Sequence, residues 1–517
     1  MLNDKRYDVC IVGGGIAGAM VAMRLAEKGR DVVILEAGRH FDRAERLDQL
    51  RSFEVLRTPL WPWETGRRDV FEDSSAADIG YHYSLNQSRV KAVGGSTLHW
   101  GGLINRFRES DFRTASTYGL GVDWPISYAD LEPYYCQAES IIGVAGTPNA
   151  SDPPRSQPFP MRGFPAKYGE SAWFDVAARM NFDISFNSHA RNSRAYGGRP
   201  ACSAFSVCNV CPIGARYSAD FHIEQVVKTG RVTLLTETVA RRVQVSGNGS
   251  VSAILATNLE GDDIEVQAND YVIAAHAIET ARLLLLSGVG NESGQVGRNL
   301  MEHWYTGAGG FVDSKVFPKR IGFETLECNH WYDGPERRER GAIKLSFIDG
   351  RDPLETGIED GLLGADLANR DCAEFGHWVG VAAETEHQPN ADSRVTLSTT
   401  ETDMFGDPAP HIRFAIADID RRTHGRAQEI ANLLLEARGC RDIQPLSSFI
   451  RAHHHMGTCR MAAEPGVGVV DADCRVHGVA NLSLAGASVF PSGGGRQPTL
   501  TLAALALRLG DRLAATA

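Results

Sequence analysis

Apolar runs and glycine-rich turns alternate from the start of the chain. Val9–Val12 is a short all-apolar run, the pattern of a strand buried on both faces. Gly13-Gly14-Gly15-Ile16-Ala17-Gly18 follows it directly, and a helix-period pattern then runs to Lys28, where Gly29 caps it. Val32–Leu35 predicts a second strand ending at Glu36. Val232–Thr236 and residues 250–273 carry β-like alternation, and Ala277–Leu286 reads as a helix. Residues 305–445 mix strand-like runs with a helix near Ala427–Ala437. The chain closes on an amphipathic helix from about Pro498 to Leu513, with proline in the first turn, where its missing N–H costs nothing. Residues 40–90 are polar and irregular, with a Pro/Trp-rich piece at Pro59–Trp63. Residues 91–106 are glycine-rich, and residues 120–215 read as loops with a few helices. The stretch after His453 is again rich in glycine and turns. No internal repeat interrupts this order.

The first strand, turn, helix and second strand make a dinucleotide-binding pattern in an α/β fold. Gly13 permits the tight turn, Gly15 lets backbone approach a pyrophosphate, and Gly18 lets helix pack on strand. The helix N-terminus favours anionic phosphates, and Glu36 can accept hydrogen bonds from ribose hydroxyls. The motif alone does not separate FAD from NAD. Gly94-Gly95-Ser96 offers backbone N–H groups with no Cβ in the way, suited to a flavin or phosphate surface; a plain loop turn is the alternative.

Composition narrows the function. The chain has 517 residues, enough for two domains or one large one with insertions. Its formal charge is 53 − 64 = −11, which argues against a nucleic-acid partner. No apolar run reaches about 18 residues, so no membrane span is predicted. Met1 to Arg6 leads straight into the strand Tyr7–Val12 and leaves no room for a signal peptide. By its own sequence the chain reads as cytoplasmic; co-export with a partner subunit would make it periplasmic.

Several further segments resemble the glucose–methanol–choline (GMC) oxidoreductase family. They are Glu36-Ala37-Gly38, the run Val93 to Gly102, the run Ala274 to Leu284, the run Val296 to Leu300, and His454 to Met461 followed by Pro498-Thr499-Leu500-Thr501. They span nearly the whole chain. The resemblance implies FAD as cofactor and a Rossmann-like FAD-binding domain assembled from discontinuous segments. On that analogy residues 1–110, 220–310 and 450–517 form the FAD domain. Residues 111–219 and 311–449 then form a substrate domain on an antiparallel sheet, with a cysteine loop near 199–216. The resemblance also places Ala240 and Pro498 on the cofactor. His99-Trp100 resembles a pair through which some relatives attach FAD covalently, while others with His-Trp hold it free.

Oxidising an alcohol requires a hydride acceptor and a base, and imidazole suits the base because it titrates near neutrality. The family's base is a histidine three residues before Gly-Thr-Cys. That spacing selects His454 over His453 and His455, whose bland reading is structural. A three-histidine metal site is disfavoured because adjacent residues point to different sides. The family's second His or Asn falls at Gln497, a departure that keeps an amide donor and acceptor; Gln497 then orients substrate or His454, or is structural.

Of ten cysteines, seven are scattered and read as buried thiols. Cys202, Cys208 and Cys211 cluster just before Pro212. A disulfide plus a free thiol needs an oxidising compartment, and zinc wants a fourth ligand that is not near. An iron–sulfur cluster fits tight spacing ending in Cys-Pro, and three cysteines suit a three-iron type. The loop resembles that of bacterial sugar dehydrogenases of the family, which relay electrons to a cytochrome and often pair with a small subunit. Its last cysteine gap is one residue shorter than expected for them.

The sequence therefore reads as an FAD-dependent dehydrogenase for a sugar or glycoside hydroxyl, at C3 or C1, with electrons leaving through an iron–sulfur cluster. The partners implied are a small subunit and a cytochrome-type acceptor. The rivals are an oxygen-using sugar oxidase of the same fold and a flavin-binding electron-transfer subunit without its own substrate.

Overall fold

A computed structural model describes residues 5–42, 44–48, 72–73, 89–149, 151–204, 208, 210–317, 322–351, 353–446, 449–450 and 453–516. The Pro/Trp-rich piece at 59–63 lies outside the described residues.

Five parallel strands form the core of the first sheet. Their spatial order is Val232–Leu235, Val32–Leu35, Arg6–Val12, the second half of Asp263–Ile273, and Leu482–Leu484. Val32–Leu35 is buried at every position, as a strand covered on both faces requires. The single stretch expected over 250–273 is two strands, Val251–Asn258 and Asp263–Ile273. The first half of the latter pairs antiparallel with Val251–Asn258, which pairs in turn with Thr238–Val245. The helix Ile16–Glu27 covers the parallel strands, and Thr499–Thr516 packs on that helix so closely that a methyl on Gly510 would sit 2.9 Å from Arg24 Cβ.

The second sheet is antiparallel, in the order Arg441–Pro445, Trp304–Phe311, Trp378–Thr385, Ile343–Asp349, Leu326–Cys328, Ser185–Phe186. Alternation divides its faces. Val379, Val381, Ala383, Ile343, Leu345 and Phe347 are buried in one cluster with Ala427, Ile430, Ala431, Leu434 and Leu435 of the helix Asp418–Arg438. Those helical positions follow the spacing of a single apolar stripe. Tyr305, Glu384 and Lys344 face one another in register across three strands and point to the other face.

Two expected boundaries move. Trp304–Phe311 pairs along its length with Trp378–Thr385, so the second sheet begins before residue 310. Its glycines serve the sheet: a Cβ on Gly309 would lie 1.9 Å from the Trp378 ring that covers it. Nor does 111–219 belong wholly to the second domain. Phe112, Trp124, Leu131 and Tyr135 pack into the first core, and Tyr135 Oη lies 2.7 Å from Thr501 Oγ1 of the last helix. Among the scattered cysteines, Cys372 is exposed, because its helix Gly364–Glu374 buries no residue. No helix among the described residues is long and apolar enough to cross a membrane.

Candidate active site

The two glycine segments meet. Gly94 N–H donates to Gly14 O at 2.8 Å, and a methyl on Gly95 would stand 3.1 Å from Gly15 Cα. Gly13 (φ +108°) lies against Ala274 and Ala275, where a Cβ would meet the Ala274 carbonyl oxygen at 2.5 Å. In front of Gly15, by contrast, a Cβ would find nothing within 4 Å. Gly15 is the N-cap of a helix with no side-chain cap and no acidic residue in its first turn. Uncapped N–H groups, a positive helix end and open space are what a diphosphate needs. Glu36 is buried and accepts from Gly14 N–H at 2.7 Å and Gly38 N–H at 2.9 Å, and burial pushes its carboxyl up to about 7. Each oxygen retains a second lone pair for a ribose hydroxyl. These residues fit a flavin dinucleotide. Ser96 lies in the 3-10 turn Gly95–Leu98 beside them. Ala240 lies half-buried in Thr238–Val245, and Pro498 is buried just before the last helix.

The imidazole of His454 is oriented by His303, not by Gln497. His454 Nδ1 lies 2.9 Å from His303 Nδ1, and His303 Nε2 lies 2.9 Å from the Gly494 carbonyl oxygen. A carbonyl only accepts, so His303 Nε2 carries the proton. Neutral His303 then accepts at Nδ1 from His454 Nδ1–H. That leaves His454 Nε2 with a bare lone pair, the form a general base needs. Burial, His303, His453 and Lys344 together hold the His454 imidazolium well below its ordinary range, so the ring is neutral at pH 7. The Gly494 carbonyl is itself fixed. Gly494 is left-handed (φ +53°), Gly495 N–H donates to Tyr332 Oη at 2.8 Å, and Tyr332 Oη donates to Asp111, which pairs with Arg337 at 2.9 Å.

Gln497 belongs to the floor. Its Nε2 donates to Glu384 Oε2 at 2.6 Å, and Asn105 Nδ2 donates to its Oε1 at 3.4 Å. Asn105 also donates to Glu327, and Lys344 lies 3.3 Å from Glu384 and 3.7 Å from Glu327. Arg496 stands 3.7 Å from Glu327. Burial holds the His303 imidazolium below its ordinary range and Glu384 opposes that shift, so this floor adjoins the histidine pair. The Lys344 and Glu327 side chains are closed off, while Glu384 keeps 15% exposure. His99 is held neutral, at about 3, chiefly by burial and also by His453 and Arg216.

Sequence reasoning missed His303, Glu384 and Lys344. His303 had a signal: it stands three residues beyond the end of the recognised segment 296–300, next to an acid at the same junction, Glu302. Glu384 and Lys344 had none, because only the strand register brings them together.

The cysteine loop lies against the cofactor side. Cys202, Cys208 and Cys211 line one small cavity with Arg191, Pro212 and Ile213. None of the three is in a disulfide. Ala204 N–H points at Cys202 Sγ (3.3 Å) and Arg216 N–H at Cys211 Sγ (3.4 Å). The Arg216 guanidinium donates to the carbonyls of Leu98 (2.6 Å), Trp100 and Cys208 (2.6 Å), joining the loop to the His99 segment.

Comparison with known proteins agrees with this geometry. Residues 7–305 and 389–506 match the family models for GMC oxidoreductase. The chain is 30% identical over 534 residues to the fructose dehydrogenase large subunit of Gluconobacter japonicus, covering 98% of this chain and 97% of that protein. It is also 30% identical over 547 residues to the 6'''-hydroxyparomomycin C oxidase of Streptomyces lividus, covering 99% and 92%. The structure of formate oxidase from Aspergillus oryzae superposes with a TM-score of 0.70 at 18% identity, covering 100% and 99%, and shares the fold. The chain belongs to the GMC oxidoreductase family and is an FAD-dependent oxidoreductase acting on CH–OH donors.

Proposed function

We propose that the chain is a dehydrogenase that oxidises a secondary or anomeric hydroxyl, C3 or C1, of a sugar or glycoside. The observation that carries this reading is the bare Nε2 of His454 beside a floor of paired acids, amides and bases. His454 Nε2 takes the hydroxyl proton as the carbinol carbon gives up its hydride. Bound FAD supplies the acceptor for that hydride. His303 accepts from His454 Nδ1–H and keeps the ring from turning as it becomes charged. A floor of Glu384, Gln497, Lys344 and Asn105 suits a ligand bearing several hydroxyl groups, and both relatives named above carry polyhydroxy compounds in their names.

Glu384 is the specificity residue of this floor, since its carboxylate keeps 15% exposure and can accept a neighbouring substrate hydroxyl. Glu384→Gln raises KM for polyols about tenfold, the size of one hydrogen bond to a charged group, and leaves a simple monohydric alcohol unaffected. Steady-state kinetics on matched substrates checks this. Equal effects on both substrates would contradict it.

We further propose that Cys202, Cys208 and Cys211 hold an iron–sulfur cluster that relays electrons to an external acceptor, a cytochrome, with a small subunit alongside. Three thiols around one cavity, none of them in a disulfide, faced by Arg191 and by backbone N–H groups, support it. Anaerobically purified protein then contains iron and gives a spin-resonance signal. Cys208→Ser loses both, still lets substrate bleach the flavin, and reduces an external acceptor at least tenfold more slowly. Iron-free wild-type protein would end this reading. The oxidase reading has its own support in the Streptomyces relative. Peroxide release matching the rate of substrate oxidation in air would favour it.

A further inference from the structure

A second set of buried groups adjoins the base and plays no part in the steps above. Glu302 is fully buried, and its Oε1 accepts from His303 N–H at 2.9 Å and His454 N–H at 2.7 Å. His453 N–H also points at this carboxylate. One carboxyl therefore gathers backbone from both histidines of the catalytic pair, which lie far apart in sequence. On its other side, His455 Nε2 lies 3.6 Å from Glu302 Oε2, and His455 Nδ1 lies 3.2 Å from His276 Nε2. Ile278 N–H points at His276 Nδ1 at 3.4 Å.

The ends of this chain set its protons. A backbone N–H can only donate, so His276 Nδ1 accepts and Nε2 carries hydrogen. His276 Nε2–H then donates to His455 Nδ1. That leaves His455 Nε2–H directed at Glu302. Every donor in the chain points toward the carboxylate. His276 opens the helix His276–Ser287 and follows Ala275, which packs on the Gly13 turn. The chain thus runs from the dinucleotide turn to the base.

His276 also holds a left-handed backbone (φ +66°) that glycine would adopt without strain. Strain kept at a side chain that bonds toward the active site points to a role for that side chain.

We propose that His276, His455 and Glu302 form a positioning chain that pins the backbone of His303 and His454 and so keeps the base in register with the dinucleotide site. The inference rests on His454 being the base. An ionised carboxylate pins three N–H groups more firmly than a neutral acid. The groups facing Glu302 are His303, His453, His454 and His455, with Glu384 from the neighbouring strand opposing its charge; His454 faces His303, His453 and Lys344. Burial pushes the Glu302 carboxyl up to about 8, so its ionisation falls within the working range. Activity then rises through that titration.

The test compares FAD-loaded wild type with His276→Gly and Glu302→Gln. His276→Gly relieves the left-handed residue, so its unfolding midpoint and flavin content hold or rise. Its kcat falls roughly tenfold, within the hundredfold that about 1 Å of misplacement costs, while KM stays put. Its acid limb in kcat against pH moves upward, since the carboxylate loses one donor chain. Glu302→Gln loses that limb altogether. Thermal unfolding gives a readout apart from turnover. Between about 4.3, the ordinary glutamate value, and about 8 the folded protein holds a proton that the unfolded chain has released. Wild-type stability therefore falls across that window as pH rises. The midpoint of Glu302→Gln minus that of wild type grows through the same window. Unchanged kcat and pH profile in His276→Gly, with His454→Ala inactive, would overturn the positioning chain and spare the base. Activity retained in His454→Ala would overturn the base reading itself.

Discussion

Replacing His454 by alanine lowers kcat/KM for the sugar substrate about a thousandfold, the middle of the range for a lost general base. The expectation follows from the proton pattern. Gly494 fixes the tautomer of His303, His303 fixes that of His454, and the lone pair left over faces no donor within the pair. His455 cannot take over, because it is turned toward His276 and Glu302. Flavin content of the variant stays at the wild-type level, since the dinucleotide turn is untouched. Dye reduction at saturating sugar, normalised to bound flavin, measures the loss. A drop of less than about tenfold would assign the base to another group.

The second large effect is on holding the cofactor. In Gly18→Ala the new methyl would lie 2.0 Å from the Gly13 carbonyl oxygen and 3.3 Å from Ile11 Cγ2. Gly13 cannot yield, since it is left-handed and already pressed on Ala274. Helix and strand must part at the point where the diphosphate binds. The cost is about 3 kcal/mol, the upper end for overpacking. The protein purifies pale, with well under stoichiometric flavin and a lowered unfolding midpoint. Gly29→Ala is the control. Gly29 is also left-handed (φ +76°), but nothing lies within 4 Å of its added carbon, so only backbone strain is felt and flavin is retained. Absorbance ratios of the two variants decide the matter. Full flavin in Gly18→Ala would show that the turn does not carry the cofactor.

What the sequence disclosed was mostly local. The run Gly13–Gly18 announces itself because turn, close approach and helix packing all fall within six neighbouring positions, each needing glycine for a different steric reason. His454 emerged from spacing to Gly457-Thr458-Cys459, again a local signal. Its partner did not. His303 stands at the start of the strand Trp304–Phe311, and only closure of the C-terminal segment onto that strand, through Met301 and Met456, brings the two rings together. Gln497 was found by position, but its bonds run to Glu384 and Asn105, which lie 113 and 392 residues away in the chain and meet it only in the fold. The helix Asp418–Arg438 extends well before Ala427, since its first turns are polar and carry Asp418 and Asp420 at the favourable end of the dipole, where hydrophobic periodicity is silent.

On the proposed function, a bound flavin faces His454 and a polyhydroxy alcohol. Anaerobic mixing of the purified protein with a panel of sugars, glycosides, sterols and simple alcohols tests it most directly, read as loss of flavin absorbance. At least one sugar or glycoside should bleach the wild-type flavin within seconds and leave that of His454→Ala coloured. A folded protein that takes up no flavin, or a flavin that every sugar leaves oxidised while a sterol or monohydric alcohol bleaches it, would contradict the account.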